Sequence, residues 1–184
     1  HAVFAETLGE LAAAAGARAP LAVIAHSLGS VIASNYFYDL QDPGGKKLIA
    51  PSVRAKMGNT ALERGETLAA LYTFGSPLAL WSLRYPDFGM PISVPAPGLA
   101  GHHPSLGALA EWINFCDEDD VLAYPLRTLN AAYKAAVKAD RAINAGNVLT
   151  SWNPLSHQGY WTDDDLTAPI ARTLARFWRA LNPT

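Results

Sequence analysis

A short apolar run, residues 21–25, is followed at once by a tight turn and then by a helical pattern. A continuous apolar run of this length predicts a parallel strand in the middle of a sheet, covered on both faces. The turn reads Ala25-His26-Ser27-Leu28-Gly29, and the helical pattern continues from Gly29 to Tyr38. The order of strand, sharp turn and helix therefore favours an α/β fold.

The rest of the chain alternates helical and strand patterns in the same way, and its 184 residues fit one domain. Further strands are predicted at 68–74, 112–116 and 147–150, and helices at 3–15, 52–64, 126–143 and 163–181. Residues 78–110 lie between two of the strands as a long, irregular insertion, which we expect to act as a lid. The alternation predicts a mostly parallel sheet with helices on both faces.

Charge and hydropathy exclude several classes of function. The formal net charge is −2 and the charged residues are interleaved, so no basic face predicts binding to nucleic acid. No apolar run approaches the roughly 20 residues that a transmembrane segment needs. The single cysteine, Cys116, excludes an internal disulfide, and no zinc-ligand spacing occurs. Because the chain opens on His1 rather than Met, we expect an upstream segment, and the compartment is not predicted.

Ser27 is the candidate nucleophile. A turn between a strand and a helix holds a serine in a strained conformation with its hydroxyl exposed, and small residues two positions before and after it avoid clashes. Ala25 and Gly29 occupy these positions, although glycine is the usual first residue. From this turn alone, a helix-capping role is an equally good interpretation of Ser27.

A serine hydroxyl is a weak nucleophile, so it needs a histidine that takes its proton and an acid that orients the histidine. His157 is the candidate base, because it lies in the predicted loop between the last strand and the last helix. A lone histidine there would otherwise be interpreted as a solvated loop residue. The candidate acids are residues 117–120, just after a strand; Asp120 is favoured because it precedes the apolar Val121, and Asp117 is second.

Four stretches, in this order, resemble the α/β-hydrolase superfamily and, within it, the lipase-like serine hydrolases. They are Ala25-His26-Ser27-Leu28-Gly29, Tyr72-Thr73-Phe74-Gly75-Ser76-Pro77, Asn114 through Asp120-Val121 to Tyr124-Pro125, and Leu155-Ser156-His157 with Tyr160-Trp161. The resemblance spans residues 3–181. It implies Ser27, Asp120 and His157 as catalytic residues, in the chain order of this fold. It also implies an oxyanion hole that uses the backbone N–H of Leu28, and a substrate pocket lined by His26, Ser76, Pro77 and Trp81.

The resemblance also implies that part of the fold is missing from this chain. In that family the strand before the nucleophile is the fifth and lies in mid-sheet, whereas here one predicted helix precedes it. Alone, the strand at 21–25 would be an exposed apolar edge, which folded proteins avoid. We therefore expect an upstream segment, or a second chain, to complete the sheet and to supply the second oxyanion donor.

The sequence thus predicts an esterase-like or lipase-like carboxylester hydrolase that works through an acyl-enzyme and needs no metal or cofactor. The apolar residues of the insertion favour a small ester with an apolar acyl or alcohol group; they are Trp81, Leu83, Tyr85, Phe88 and Met90. A thioesterase or an acyltransferase would use the same three residues. A binding module that keeps the fold with idle catalytic residues is a further alternative.

Overall fold

The protein, as a computed structural model, is described over residues 1–42, 45, 48–83, 89–146 and 154–183. Four parallel strands form one sheet in the order β1-β2-β3-β4. The strands are β1 (Leu21–His26), β2 (Leu68–Phe74), β3 (Glu111–Cys116) and β4 (Ala139–Ala142). Every residue of the two central strands, β2 and β3, is buried, which explains their apolar sequence. The predicted α/β class with a parallel sheet is confirmed.

The helices lie between and around these strands. They are α1 (Ala2–Ala15), α2 (Leu28–Gln41), α3 (Pro51–Arg54), α4 (Leu99–His102), α5 (Ala131–Ala136) and α6 (Asp164–Leu181). Short 3-10 helices cover Pro77–Leu83, Pro104–Leu106, Pro154–Gln158 and Tyr160–Thr162. Helix α6 begins where Asp163 accepts the backbone N–H of Asp165, as expected for an acidic helix start. None of the helices in the described ranges is both long and apolar enough to cross a membrane.

Helices cover both faces of the sheet, because neighbouring strand residues point to opposite sides. On one face, Leu71 and Trp112 pack in a cluster with residues of α1, α2 and α5, namely Leu8, Tyr36, Phe37 and Tyr133. On the other face, Tyr72 and Phe115 pack with residues of α6, namely Leu166, Ile170 and Phe177. The sheet therefore lies between two apolar core clusters.

The predicted helix over 126–143 is wrong. Helix α5 covers only six residues of it, and residues 139–142 form strand β4 beside β3. The side chain of Asp140 explains the change, because it accepts hydrogen bonds from the side chain of Asn114 and from the backbone N–H groups of Leu126 and Arg127. The predicted helix over 52–64 is reduced to α3, and the predicted strand at 147–150 lies outside the described residues.

The insertion at 78–110 is packed onto the sheet in its described parts. Leu78 and Ile92 are buried in the first core cluster, and Leu99 and Leu106 are buried in the second. Tyr85 and Phe88 lie outside the described residues. These parts of the insertion therefore contribute to both cores, which its proline-rich sequence did not suggest. Its role as a lid stays a prediction.

Strand β1, which leads to Ser27, lies at an edge of the described sheet. It pairs with β2 along one side only, rather than lying in mid-sheet as the run at 21–25 predicts. The side chain of Ile24 is 41% exposed. An apolar, open edge of this kind is a surface on which another strand can pair.

Candidate active site

The three predicted catalytic residues follow the sheet at one end. Ser27 comes directly after β1, Asp120 lies four residues after β3, and His157 lies in the 3-10 helix before α6. The carboxyl ends of parallel strands share one edge of a sheet, which is where ligands gather in folds of this class. The fold therefore brings together residues that are far apart in the sequence.

Ser27 has a backbone conformation that few residues other than glycine adopt. Its φ is 52° and its ψ is −131°, and its backbone N–H donates to the carbonyl oxygen of Phe74. Helix α2 begins at the next residue, but the Ser27 side chain makes no capping hydrogen bond. The capping interpretation of Ser27 therefore finds no support in its contacts.

A second serine, which the sequence interpretation missed, holds this turn. The hydroxyl of Ser30 donates to the carbonyl oxygen of Ser27 at 2.6 Å and lies 2.7 Å from the hydroxyl of Ser76. The Ser76 hydroxyl also accepts the backbone N–H of Leu78 at 3.3 Å. Ser30 and Ser76 are both buried, so the network is shielded from water. Only the spacing of Ser30 from Ser27 signalled this contact, and it is common in helices.

The steric prediction for Gly29 is not supported. A Cβ atom added at Gly29 would meet no atom of the described residues within 4 Å. Ala25, on the strand side of the turn, is buried at 6% exposure. The turn at Ser27 therefore has open space on its helix side.

His157 lies between Ser27 and Asp120 and is within hydrogen-bonding distance of both. Its Nε2 atom is 2.9 Å from the Ser27 hydroxyl, and its Nδ1 atom is 2.8 Å from Oδ2 of Asp120. Since the carboxylate can only accept, the proton of the neutral ring belongs on Nδ1, and Nε2 is left to accept from the hydroxyl. This is the arrangement that general-base activation of a serine requires.

The two candidate acids have different partners. Asp120 contacts His157 through Oδ2, and its Oδ1 accepts the backbone N–H of Leu122 at 3.0 Å. Asp117 instead accepts the backbone N–H groups of Asp119 at 2.8 Å and Ala145 at 2.5 Å. Both carboxylates are 2% exposed. Asp117 therefore fixes the loop, and Asp120 faces the imidazole ring.

His26 supports the backbone of His157. Its Nε2–H donates to the carbonyl oxygen of His157 at 2.8 Å, and its ring stacks on Phe74 with 5.1 Å between centroids. Burial is the main reason why the pKa of His26 lies below its ordinary value. The hydrogen bond to the carbonyl oxygen of His157 acts to raise this pKa, whereas the neighbouring His157 ring acts to lower it. The neutral ring retains the Nε2 proton that this hydrogen bond needs.

The predicted pocket residues lie at different depths. Ser76 is buried in the network of Ser30, and Pro77 begins a 3-10 helix while partly exposed. Trp81 packs against the core cluster that includes residues of α1 and α2. Exposed apolar side chains instead flank the three candidate residues in sequence, namely Leu28, Val121, Leu122 and Trp161. Sequence reasoning did not identify their side chains as a possible pocket, because exposure is not visible in a sequence pattern.

The remaining histidines have other partners. His1 lies 3.4 Å from a carboxylate oxygen of Asp39, and His102 lies 3.0 Å from one of Glu66. Over the described parts of the chain, no three His, Cys, Asp or Glu side chains are grouped as a metal site.

The hydrogen-bonded chain from Ser27 through His157 to Asp120 can move a proton away from a hydroxyl at the edge of the sheet. The strained turn of Ser27 and the two buried carboxylates hold that geometry in place. No protein-family model, no curated protein and no solved structure matches this chain.

Proposed function

We propose that this chain is a serine hydrolase that cleaves carboxylic esters through an acyl-enzyme intermediate at Ser27. The observation that carries the proposal is the continuous contact from the Ser27 hydroxyl to His157 Nε2, 2.9 Å, and from His157 Nδ1 to Asp120, 2.8 Å. The positive φ of Ser27 adds support, because strain of this kind is costly and clusters at functional sites.

Acylation begins when the oxygen of Ser27 attacks the ester carbonyl carbon and His157 Nε2 takes the hydroxyl proton. The carbonyl π electrons move to the oxygen and form an oxyanion. Asp120 stabilises the imidazolium ring that results. When the oxyanion collapses, the bond to the alcohol oxygen breaks, and His157 returns the proton to the departing alcohol.

Deacylation repeats these steps with water. His157 removes a proton from a water molecule as that water attacks the acyl carbon, and a second oxyanion forms. Its collapse releases the carboxylic acid and returns the proton to Ser27. The ester and one water are converted into an acid and an alcohol, so no oxidant, reductant or cofactor takes part.

The oxyanion needs hydrogen-bond donors, and Leu28 is the first candidate. Its backbone N–H lies in the first turn of α2, a helix of 14 residues whose dipole favours negative charge at this end. We propose that a segment pairing with the open edge of β1, from upstream or from a second chain, brings the second donor. Losing one such donor typically lowers the rate about a hundredfold or more.

The substrate class follows from the surface around the three residues. Leu28 is 56% exposed, Val121 is 61% exposed and Trp161 is 54% exposed. Trp161 also contacts the ring of Phe74, edge to face, at 4.9 Å between centroids. Solvent-exposed apolar side chains beside a proposed nucleophile favour binding of an ester with an apolar acyl or alcohol group.

A fluorophosphonate probe tests the proposal, because it labels only an activated serine. The probe is applied to the natural full-length protein and to its Ser27→Ala and His157→Ala variants, with labelling read by intact mass. Ser52→Ala and His103→Ala are the control variants, since Ser52 is exposed, His103 is partly exposed, and both lie outside the site. We expect labelling in the parent and controls, and none in the two site variants.

Absence of labelling in the folded parent would reject the hydrolase and leave a binding module. If labelling occurs, oxygen esters and thioesters of graded acyl length then define the substrate.

A further inference from the structure

Tyr160 lies beneath the candidate site and is fully buried. It follows His157 by three residues, and its ring lies 5.6 Å from Phe74 between centroids. Its hydroxyl contacts two of the four acidic residues that follow β3, Asp117 and Asp120. The hydroxyl donates to Oδ2 of Asp120 at 3.0 Å and accepts the backbone N–H of Asp117 at 3.0 Å.

The direction of these hydrogen bonds is fixed by chemistry. The backbone N–H of Asp117 can only donate, so the Tyr160 oxygen accepts there and its own proton points to Asp120. Burial raises the pKa of Tyr160, and the charge of Asp120 raises it further, so the phenol keeps its proton. Tyr160 is therefore a permanent donor to the carboxylate.

Asp120 consequently receives three hydrogen bonds. Oδ2 accepts from both Tyr160 and His157, and Oδ1 accepts from the backbone of Leu122. Rotation of the carboxylate would break at least one of these bonds. Tyr160 and His157 lie three residues apart in one segment. The Tyr160 phenol therefore also links this segment to the loop that carries Asp120.

We propose that Tyr160 is a positioning residue that holds the Asp120 carboxylate against the imidazole ring of His157 and shares its Oδ2 atom with that ring. The catalytic role of Tyr160 rests on the proposed function. The sharing of Oδ2 by Tyr160 and His157 is a property of the folded protein and does not depend on that function. Two donors on one oxygen compete for its electron density. The Tyr160 phenol therefore weakens the hydrogen bond between Asp120 and His157.

The test replaces Tyr160 by phenylalanine, which keeps the ring packing and removes the hydroxyl. Tyr72→Phe is the matched control, because Tyr72 is also fully buried and its hydroxyl donates to a carboxylate, that of Glu111, at 2.9 Å. Tyr72 belongs to strand β2 and contacts none of the three candidate residues in its hydrogen bonds. Both variants lose one buried phenol–carboxylate bond.

The first measurement is the proton NMR resonance of the Nδ1–H of His157, identified by its loss in His157→Gln. In Tyr160→Phe, Asp120 has only the ring left on Oδ2, so we expect the resonance to move further downfield. In Tyr72→Phe we expect no movement. An unmoved resonance in folded Tyr160→Phe, or a parent that lacks the resonance, overturns the proposal whether or not the protein is a hydrolase.

Should Tyr160→Phe fail to fold, 3-fluorotyrosine at position 160 gives a second test. Its hydroxyl is a stronger donor, so the resonance should move in the opposite direction, upfield. No movement overturns the proposal.

The second measurement is the rate of fluorophosphonate labelling. In Tyr160→Phe we expect the maximal labelling rate to fall about tenfold, and the probe concentration that gives half of that rate to stay the same. In Tyr72→Phe we expect neither quantity to change. Equal rates in parent and Tyr160→Phe overturn the catalytic part of the proposal. A parent that never labels, yet shows the resonance shift, instead rejects the hydrolase and retains the positioning contact.

Discussion

Gly75 lies against the imidazole ring of His157. A Cβ atom added at Gly75 would be 3.1 Å from the Cε1 and Nδ1 atoms of that ring, closer than ordinary van der Waals contact. Gly75 also has a φ of 54°, which side chains rarely tolerate. Position 75, directly after β2, therefore favours glycine for two reasons. Its backbone conformation disfavours a side chain, and the His157 ring occupies the space that a Cβ atom would need.

Gly75→Ala should displace the ring of His157 from Ser27. We expect the labelling rate to fall about ten- to a hundredfold and the free energy of unfolding to fall by about 1 kcal/mol. Probe kinetics and urea unfolding measure the two effects. Gly101→Ala is the control, because a Cβ atom there meets nothing within 4 Å. Labelling by Gly75→Ala at the parent rate would contradict the geometry of the ring.

The strain at Ser27 predicts that its hydroxyl is retained at a cost in stability. Ser27→Gly relieves a φ of 52° that Ser27→Ala retains, so the glycine variant should be more stable than the alanine variant by about 1 kcal/mol. Neither variant keeps the hydroxyl of residue 27, so stability alone separates them. Thermal and urea unfolding give the difference.

The control for Ser27 is the same pair of changes at Ser34, inside helix α2. There glycine should be less stable than alanine by about 1 kcal/mol. If glycine is also the less stable residue at position 27, the strained turn does not exist.

The position of Glu111 predicts a pH-dependent part of the stability. Burial acts to raise the pKa of Glu111, but hydrogen bonds from Lys138, Thr173 and Tyr72 outweigh it, so the pKa lies below the ordinary 4.5. A depressed pKa stabilises the fold above that ordinary value, and the effect is lost as the pH falls through the folded value. Glu111→Gln should therefore cost about 1–3 kcal/mol at pH 7.

The cost of Glu111→Gln should shrink as the pH falls below about 4.5, and should be smallest once the pH is below the lowered pKa of the folded state, where the parent carboxyl is protonated too. Urea unfolding at a series of pH values measures it. Glu10→Gln, an exposed position on α1, should show no such dependence. A cost that is the same at every pH would mean that Glu111 is not bound as the structure has it.

Cys116 should be unreactive in the native protein. Burial, with smaller contributions from Asp140 and Asp117, raises the pKa of its thiol to about 11, and the side chain is buried. Little thiolate is present at pH 8. We expect no alkylation by iodoacetamide at that pH until urea unfolds the chain, as read by intact mass. Rapid alkylation of the folded protein would mean that the carboxyl end of β3 is open to solvent.

The central strands could be predicted from the sequence because their signals are local. The run at 68–74 matches β2, and the run at 112–116 matches β3 to within one residue. The run that became β4 could not be predicted, since Ala139–Ala142 is partly exposed and polar. Its conformation depends on Asp140, whose partners lie before it in the chain.

The candidate residues could be named from the sequence, but the contacts that support them could not. Ser27, Asp120 and His157 were predicted from their order in the chain and, for Ser27 and Asp120, from the strand ends that they follow. Their catalytic roles stay a prediction. The choice between Asp117 and Asp120 depended on a neighbouring apolar residue, and the contacts of the two carboxylates give it a physical basis. The roles of Gly75 and Tyr160 arise from contacts across the fold, which no local pattern records.

The hydrogen bonds of the candidate site join residues 130 and 37 positions apart. Contacts between such distant positions form late, because a large loop must close before they can contribute. The appearance of probe labelling at Ser27 would therefore report when the last stage of folding is complete. After dilution from urea, helical circular dichroism should recover first and probe labelling last, so that the interval between them times the docking of the His157 segment onto the sheet.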